Sequence, residues 1–380
     1  MGRETRSRGT TRLRQAPWLL ACLLPLASCI KHLGDEGLAI GVGQVERDCL
    51  VPVPPNVTGL GAPVSVEWPG RSLWLWEELT LKATPTEPER RVPAAAAMVG
   101  DAGLACSQGV SLLRGPGGQL LSLLALDPEE LAENAARTDG KRVALRAVGG
   151  FVHGGQATIY YDKLLLGPGV FDAEVLGTGL CTQAAPDRPC ERLRPARARH
   201  EPFLLWLRPG PSFGASAFVD RDGFAYLHGC QQVGAFDHRC SVARVKPEEA
   251  ANPAAYRYYD GLGASWKESA TGAGLLASGP PLVTAGYNGF LRRYTMVGLA
   301  YLGERVEVRV SDRPESAFSD PLRLFDAVKP TEWFVQGGRE HAALRREDGR
   351  TVAVSYHVGN AGAATGLHLV SFRFDEDYRR

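Results

Sequence analysis

The chain has almost no excess of charge. Its 43 Lys+Arg against 42 Asp+Glu leave a formal net charge of +1, so no electrostatic argument favours nucleic acid or an anionic surface as partner. The short signatures of common chemistries are also missing. There is no GxSxG, no Walker loop and no HExxH. Gly149-Gly150 and Gly154-Gly155 do not form GxGxxG. No CxxC or HxxxH spacing offers metal ligands, so neither metal nor cofactor is expected. The one clearly apolar targeting run, residues 18–26, is too short to span a bilayer. Long helical patterns are nearly absent, which turns attention to strands.

What is present is ordinary globular material: 44% hydrophobic and 22% charged residues. Gly 44 and Pro 26 are high. That suits many tight turns, although a GC-rich genome gives the same bias. At 380 residues the chain can build one large all-β domain or two smaller ones.

The N-terminus reads as a targeting segment. Arg3, Arg6, Arg8, Arg12 and Arg14 precede the apolar run, which ends Leu26-Ala27-Ser28-Cys29. This is similar to a bacterial lipobox, whose cysteine is lipidated and becomes the first mature residue. The expected layout is a signal peptide over 1–28, lipidated Cys29 with a flexible tether over 29–47, and a single domain over 48–378. An ordinary signal peptide with a chance cysteine is the alternative. Either way the protein is expected outside the cytoplasm, and the lipobox places it on the bacterial cell envelope, at the periplasmic or the surface face. The membrane partner is then the lipid anchor itself, and a monomer is expected.

Export makes disulfides natural. Setting aside Cys22 and Cys29 leaves Cys49, Cys106, Cys181, Cys190, Cys230 and Cys240, an even set. Close spacing suggests Cys181–Cys190 and Cys230–Cys240, leaving Cys49–Cys106.

The chain is organised around residues 220–260. Residues 224–228 and 241–245 alternate apolar with small or polar side chains and flank a polar, Gly-broken loop, as a strand pair would. Similar pairs recur at 64–68 and 72–76 across the Pro69-Gly70 turn, and at 94–99 with 108–113. Others fall at 142–148 with 157–165, at 279–283, 294–299 and 305–310, and at 341–344, 352–356 and 367–374. Residues 119–126 could be strand or helix. The best helix candidate starts at Asp127-Pro128-Glu129-Glu130 and runs to Ala136, with Asp at the N-cap and Pro at the first helical position. Short strands at this density argue for a sandwich, barrel or propeller. Units of roughly 50–70 residues with inserted loops favour about five propeller blades.

Several segments resemble a known family. They are Ser72-Leu73-Trp74-Leu75-Trp76-Glu77-Glu78, the run from Asp222-Gly223-Phe224 through Ala243-Arg244-Val245 to Asp260-Gly261, and Tyr287-Asn288-Gly289-Phe290. Val308-Arg309-Val310-Ser311-Asp312 and His341 with Glu347-Asp348-Gly349-Arg350 belong with them. Together they are similar to the bacterial domain-of-unknown-function 4185 family. The resemblance implies a five-bladed β-propeller akin to arabinanase- and xylosidase-type enzymes, with carboxylates at the axial ends of inner strands. Glu77-Glu78 stand where it implies Gly-Asp.

Hydrolysis of a glycosidic bond needs two carboxyl groups flanking it. Glu78 is the expected first acid, with Glu77 on the opposite face of the same strand. Asp222 is the expected second, although Asp222-Gly223 also suits a plain turn. His341 matches a family histidine that could orient a carboxylate. Glu77, His153, His228, Tyr287, Asn288 and Arg292 are candidate contacts to sugar, each with a bland alternative as core residue, turn or solvated side chain. Two functions follow: a glycoside-hydrolase-like protein acting on a polysaccharide or envelope glycan, or a non-catalytic surface protein that binds glycan or protein.

Overall fold

The alternating segments fold into antiparallel sheets whose strands mostly follow one another in the chain. The computed structural model describes residues 43–376, apart from 84–88, 170–171, 196–200, 233–237, 262, 280–281, 301–302 and 361–362. The signal peptide, Cys29 and the tether up to residue 42 lie outside the described residues.

Five of the sheets begin with an edge strand: β1 (Val64–Trp68), β2 (Arg142–His153), β3 (Ser216–Val219), β4 (Val283–Asn288) and β5 (Phe334–Glu340). Each lies beside the next in chain order. The turn after β5, Ala342–Leu344, lies against β1. Five sheet edges therefore face one another instead of open solvent, which removes them as sites of unwanted pairing. A sixth sheet, formed by Val57–Leu60, Glu78–Leu81 and Arg90–Pro93, sits beyond the first.

Close backbone approach at the centre demands small residues. A Cβ on Gly149 of β2 would stand 2.3 Å from the Gly214 carbonyl oxygen just before β3. The polar atoms freed there are tied across strands. Ala285 N donates to Ser216 Oγ at 2.7 Å.

The hydrophobic core lies between successive sheets rather than at one centre. Val66, Leu73 and Leu75 of the first sheet pack on Leu145, Ile159 and Tyr161 of the second. Val148, Phe151 and Tyr160 pack on Ala225, Leu227 and Tyr256 of the third. Trp74, Trp76 and Leu79 meet Ala353, Leu367 and Leu369 of the last. Burying each such aromatic or aliphatic side chain is worth about 1.5–3 kcal/mol.

The last sheet takes strands from both ends of the chain. Gln44–Leu50 pairs antiparallel with Ala363–Arg373, Gln44 opposite Arg373. Sheet structure thus starts before the expected boundary at residue 48. The Cys49–Cys106 disulfide ties this strand to helix α1 (Ala102–Gln108). Cys181–Cys190 and Cys230–Cys240 are the other two disulfides, as spacing suggested. The expected helix forms as α2 (Pro128–Ala136), with a full capping box between Asp127 and Glu130.

Four local expectations are corrected. Residues 108–113 form no strand: Gln108 ends α1, and Leu112 makes only an isolated bridge to Ala97. Residues 341–344 contain a 3₁₀ turn instead of a strand. β4 starts where the expected 279–283 strand was to end. The leucine run 119–126 contributes only isolated bridges, Ala95 to Ser122 and Arg114 to Leu120. In each case tertiary packing overrides a short apolar pattern.

Candidate functional site

The five edge strands enclose a cavity of about 230 Å³. β1 supplies Ser65 and Glu67, Asp220 follows β3, Tyr287 comes from β4, and Arg339 and Arg345 come from β5 and the turn after it. Strand alternation explains Glu67. Val66 is fully buried between sheets, so its neighbours Ser65 and Glu67 take the opposite, cavity-facing side.

Glu67 has no ion pair among the described residues. Its carboxylate accepts from the backbone N–H of Ala343 at 2.6 Å and of Ala342 at 3.1 Å, and from Ser65 Oγ at 3.0 Å. Burial outweighs these donors and the nearby Arg345 charge, and pushes its carboxyl from 4.5 up to about 7. A carboxyl poised there can give or take a proton near neutral pH.

Asp220 is half-buried at the end of β3 and accepts from Tyr294 Oη at 2.7 Å. Arg345 donates through Nε to Glu340 at 2.5 Å and through Nη1 to the Tyr287 carbonyl. Arg221 lies 4.1 Å over the Tyr287 ring.

The residues expected from sequence fall in three groups. Tyr287 lines the cavity. His341 lies directly behind it, fully buried and stacked on Trp74 at 4.3 Å, with Nε2 2.8 Å from Ser355 Oγ. Burial and the Arg339 charge push this imidazole down to about 3, so it is neutral. It precedes the two residues whose N–H groups hold Glu67, a positioning place rather than a contact with the cavity.

The others lie away from it. Glu78 opens a strand of the outer sheet and pairs with Arg142 at 2.9 Å and Arg91 at 3.6 Å. Glu77 is 37% exposed beside Arg146 at 3.8 Å, and partial burial raises its carboxyl against that pull. Asp222 makes the turn. It accepts from Phe224 N and Tyr226 Oη, both at 3.0 Å, and Gly223 sits at φ 79°. His228 is buried on the second strand of its sheet, 2.9 Å from the Pro314 carbonyl, and burial pushes it down to about 4. Asn288 is fully buried and braces a turn, donating to Gly349 O at 2.9 Å and accepting from Leu291 N at 3.0 Å. His153 is exposed at the end of β2, and Arg292 is exposed on a turn.

Sequence reasoning missed Glu67, Arg339 and Arg345. The signal for Glu67 was available in Val64-Ser65-Val66-Glu67-Trp68, an alternating strand ending in an acid. The more aromatic neighbour Ser72-Leu73-Trp74-Leu75-Trp76 drew the inner-strand assignment instead, although it lies second in the sheet.

A larger groove of about 630 Å³ passes Lys82, Arg90 and Arg114, and no acid lines it. It offers no acid/base pair. Among the described residues no cluster of three or more His, Cys, Asp or Glu is placed to hold a metal ion.

No family model and no curated protein matches the chain. Solved structures do. A candidate hydrolase from Bacteroides ovatus matches with a TM-score of 0.55 at 15% identity, over 85% of this chain and 87% of that one. A GH43_1 enzyme from Xanthomonas citri, solved with xylotriose, has a TM-score of 0.47 at 15% identity over 84% and 88%. A glycosyl hydrolase from Bacteroides ovatus has a TM-score of 0.43 at 9% identity over 87% and 94%. At these identities the first likeness speaks to fold alone: the chain has a mostly β fold similar to that of the Bacteroides protein.

Proposed function

We propose that this chain is an exported, lipid-anchored five-bladed β-propeller of the bacterial cell envelope. In this reading it is glycoside-hydrolase-like and acts on a polysaccharide or envelope glycan by acid/base chemistry at its central cavity. The observation that carries the reading is Glu67: a carboxyl raised to about 7 by burial, in a cavity that also holds Asp220 from a different sheet. Two carboxyls entering one cavity from separate strands are what glycosidic hydrolysis requires. Glu67 suits the proton donor, and Asp220 supplies the second carboxyl. The role expected of Glu78 passes to Glu67, because Glu78 is spent on Arg142 and Arg91.

A reducing-end screen on arabinans, xylans and envelope polysaccharides tests this. Wild type should release reducing ends, and both Glu67→Gln and Asp220→Asn should lose the activity while still binding glycan. Cleavage surviving Glu67→Gln removes Glu67 from the acid's role. One observation favours the second reading, a non-catalytic binder. Both Glu67 carboxylate oxygens already accept hydrogen bonds from the protein, as an architectural tie between β1 and the turn after β5 would. Glycan binding by wild type with no cleavage selects that reading.

A further inference from the structure

Arg339 carries the least compensated charge in the cavity. It is 4% exposed, and its Nη1 donates to the carbonyls of Val148 at 2.9 Å and Ala215 at 3.3 Å. Among the described residues no carboxylate lies within ion-pair distance of it. Its neighbours differ: Arg345 has Glu340 at 2.5 Å, and Arg146 has Asp162 at 3.0 Å. The two acids of the cavity are already engaged, Glu67 by Ser65, Ala342 and Ala343, and Asp220 by Tyr294. Burying an unpaired guanidinium is costly, and an anion beside it offsets that cost.

The geometry narrows the anion. With Nη1 committed to two backbone carbonyls, the Nε–Nη2 edge has no hydrogen-bond acceptor among the described residues. That edge grips a planar carboxylate through two parallel hydrogen bonds. The cavity, about 230 Å³, is below the roughly 300–1,000 Å³ of drug-sized pockets, so it holds one sugar unit rather than an oligosaccharide.

We infer that the cavity is a uronate subsite: it takes a single acidic sugar whose carboxylate lies on the free edge of Arg339. The inference rests on the carbohydrate reading above and names its substrate class. Desolvation and the neighbouring Arg146 also push Arg339 down to about 9, against a weaker upward pull from the Asp162 carboxylate.

Calorimetric titration with D-glucuronate and D-galacturonate tests it, set against their methyl esters, D-glucose and D-galactose. The uronates should bind about tenfold or more tightly than the esters and neutral sugars, and added salt should weaken only the uronates. Arg339→Met should abolish the preference, while Arg339→Lys keeps a charge without the fork and should retain only part of it. The esters make the test independent of whether the variants fold. Equal affinity for acid and ester overturns the uronate subsite and leaves the carbohydrate reading standing. Inorganic sulfate bound as tightly as the uronates overturns it in favour of a general anion site. If the chain binds none of these sugars and cleaves no polysaccharide, both readings fall.

Discussion

Glu67 and Glu78 stand at strand ends of neighbouring sheets, and the structure treats them oppositely. Glu67 sits among backbone N–H donors in a narrow cavity, without a direct cation, and is raised to about 7 by burial. Glu78 lies between Arg91 and Arg142, with its side chain 23% exposed, and closes an ion-pair cluster. Proton affinity here follows depth and the kind of donor, not the presence of an acid. A glutamate in direct ion pairs is a tie, whereas one held by backbone N–H groups and a hydroxyl can carry a proton at neutral pH.

The largest expected effect separates the two residues by activity. Glu67→Gln should cost about 100-fold or more in glycan cleavage, the usual scale of a proton-transfer group. Glu78→Gln should leave the rate within a few-fold. Matching losses from both variants, read from initial rates of reducing-end release, would erase the contrast.

The next effect is on stability. Because the folded Glu67 holds its proton up to about 7 instead of 4.5, the folded state binds more protons than the unfolded state between those values. Stability is therefore fully present below about 4.5 and falls as pH rises through about 7. The loss is at most about 3 kcal/mol, less where the cavity admits solvent. Urea midpoints of wild type and Glu67→Gln across this window should diverge in slope, the variant lacking the fall. A wild-type minus variant difference that does not change with pH would sink the burial argument.

His341 sharpens the comparison from behind Glu67. Its folded value, about 3, lies below the ordinary 6.5, so it contributes stability above about 6.5 that is lost as pH falls toward 3. His228 and His357, each pushed down to about 4 by burial, act in the same direction. His341→Gln should cost about 1–2 kcal/mol at neutral pH, from lost stacking on Trp74 and the bond to Ser355. It should also reduce the acid-induced loss. Unchanged acid midpoints in thermal melts from pH 7 to 4 would count against a buried neutral imidazole.

The smallest effect belongs to Arg91. It is 58% exposed and 3.6 Å from Glu78, so Arg91→Ala should shift stability by no more than about 0.5 kcal/mol. A shift above about 1 kcal/mol in chemical denaturation would mean the Glu78 cluster matters more than its exposure suggests.

Much of the framework was legible before any coordinates. Residues 142–148 and 157–165 were expected as strands and form them, extended to Arg142–His153 and Gln156–Leu166. Asp127-Pro128 capped a helix, Asp222-Gly223 made a turn, and cysteine spacing matched three disulfides. These features depend on neighbours a few residues away, so the local sequence contains their cause. The site was less legible. Asn288 looked like a sugar contact because Asn can serve one, but its side chain closes a turn with Gly349, 61 residues on.

The sequence by itself determined where most strands, turns and caps form, because alternation and backbone preference act within one segment. Only the tertiary structure decided which strands line the centre. Val64–Trp68 and residues 72–76 carry the same period, and nothing within either says which faces four other sheet edges. That choice fixed which glutamate lost its water and which kept its arginines. It also left the Arg339 guanidinium against the carbonyls of Val148 in β2 and Ala215 just before β3, with no carboxylate within ion-pair distance among the described residues. Desolvation and charge pairing are sums over everything nearby in space, and here those neighbours come from strands far apart in the chain.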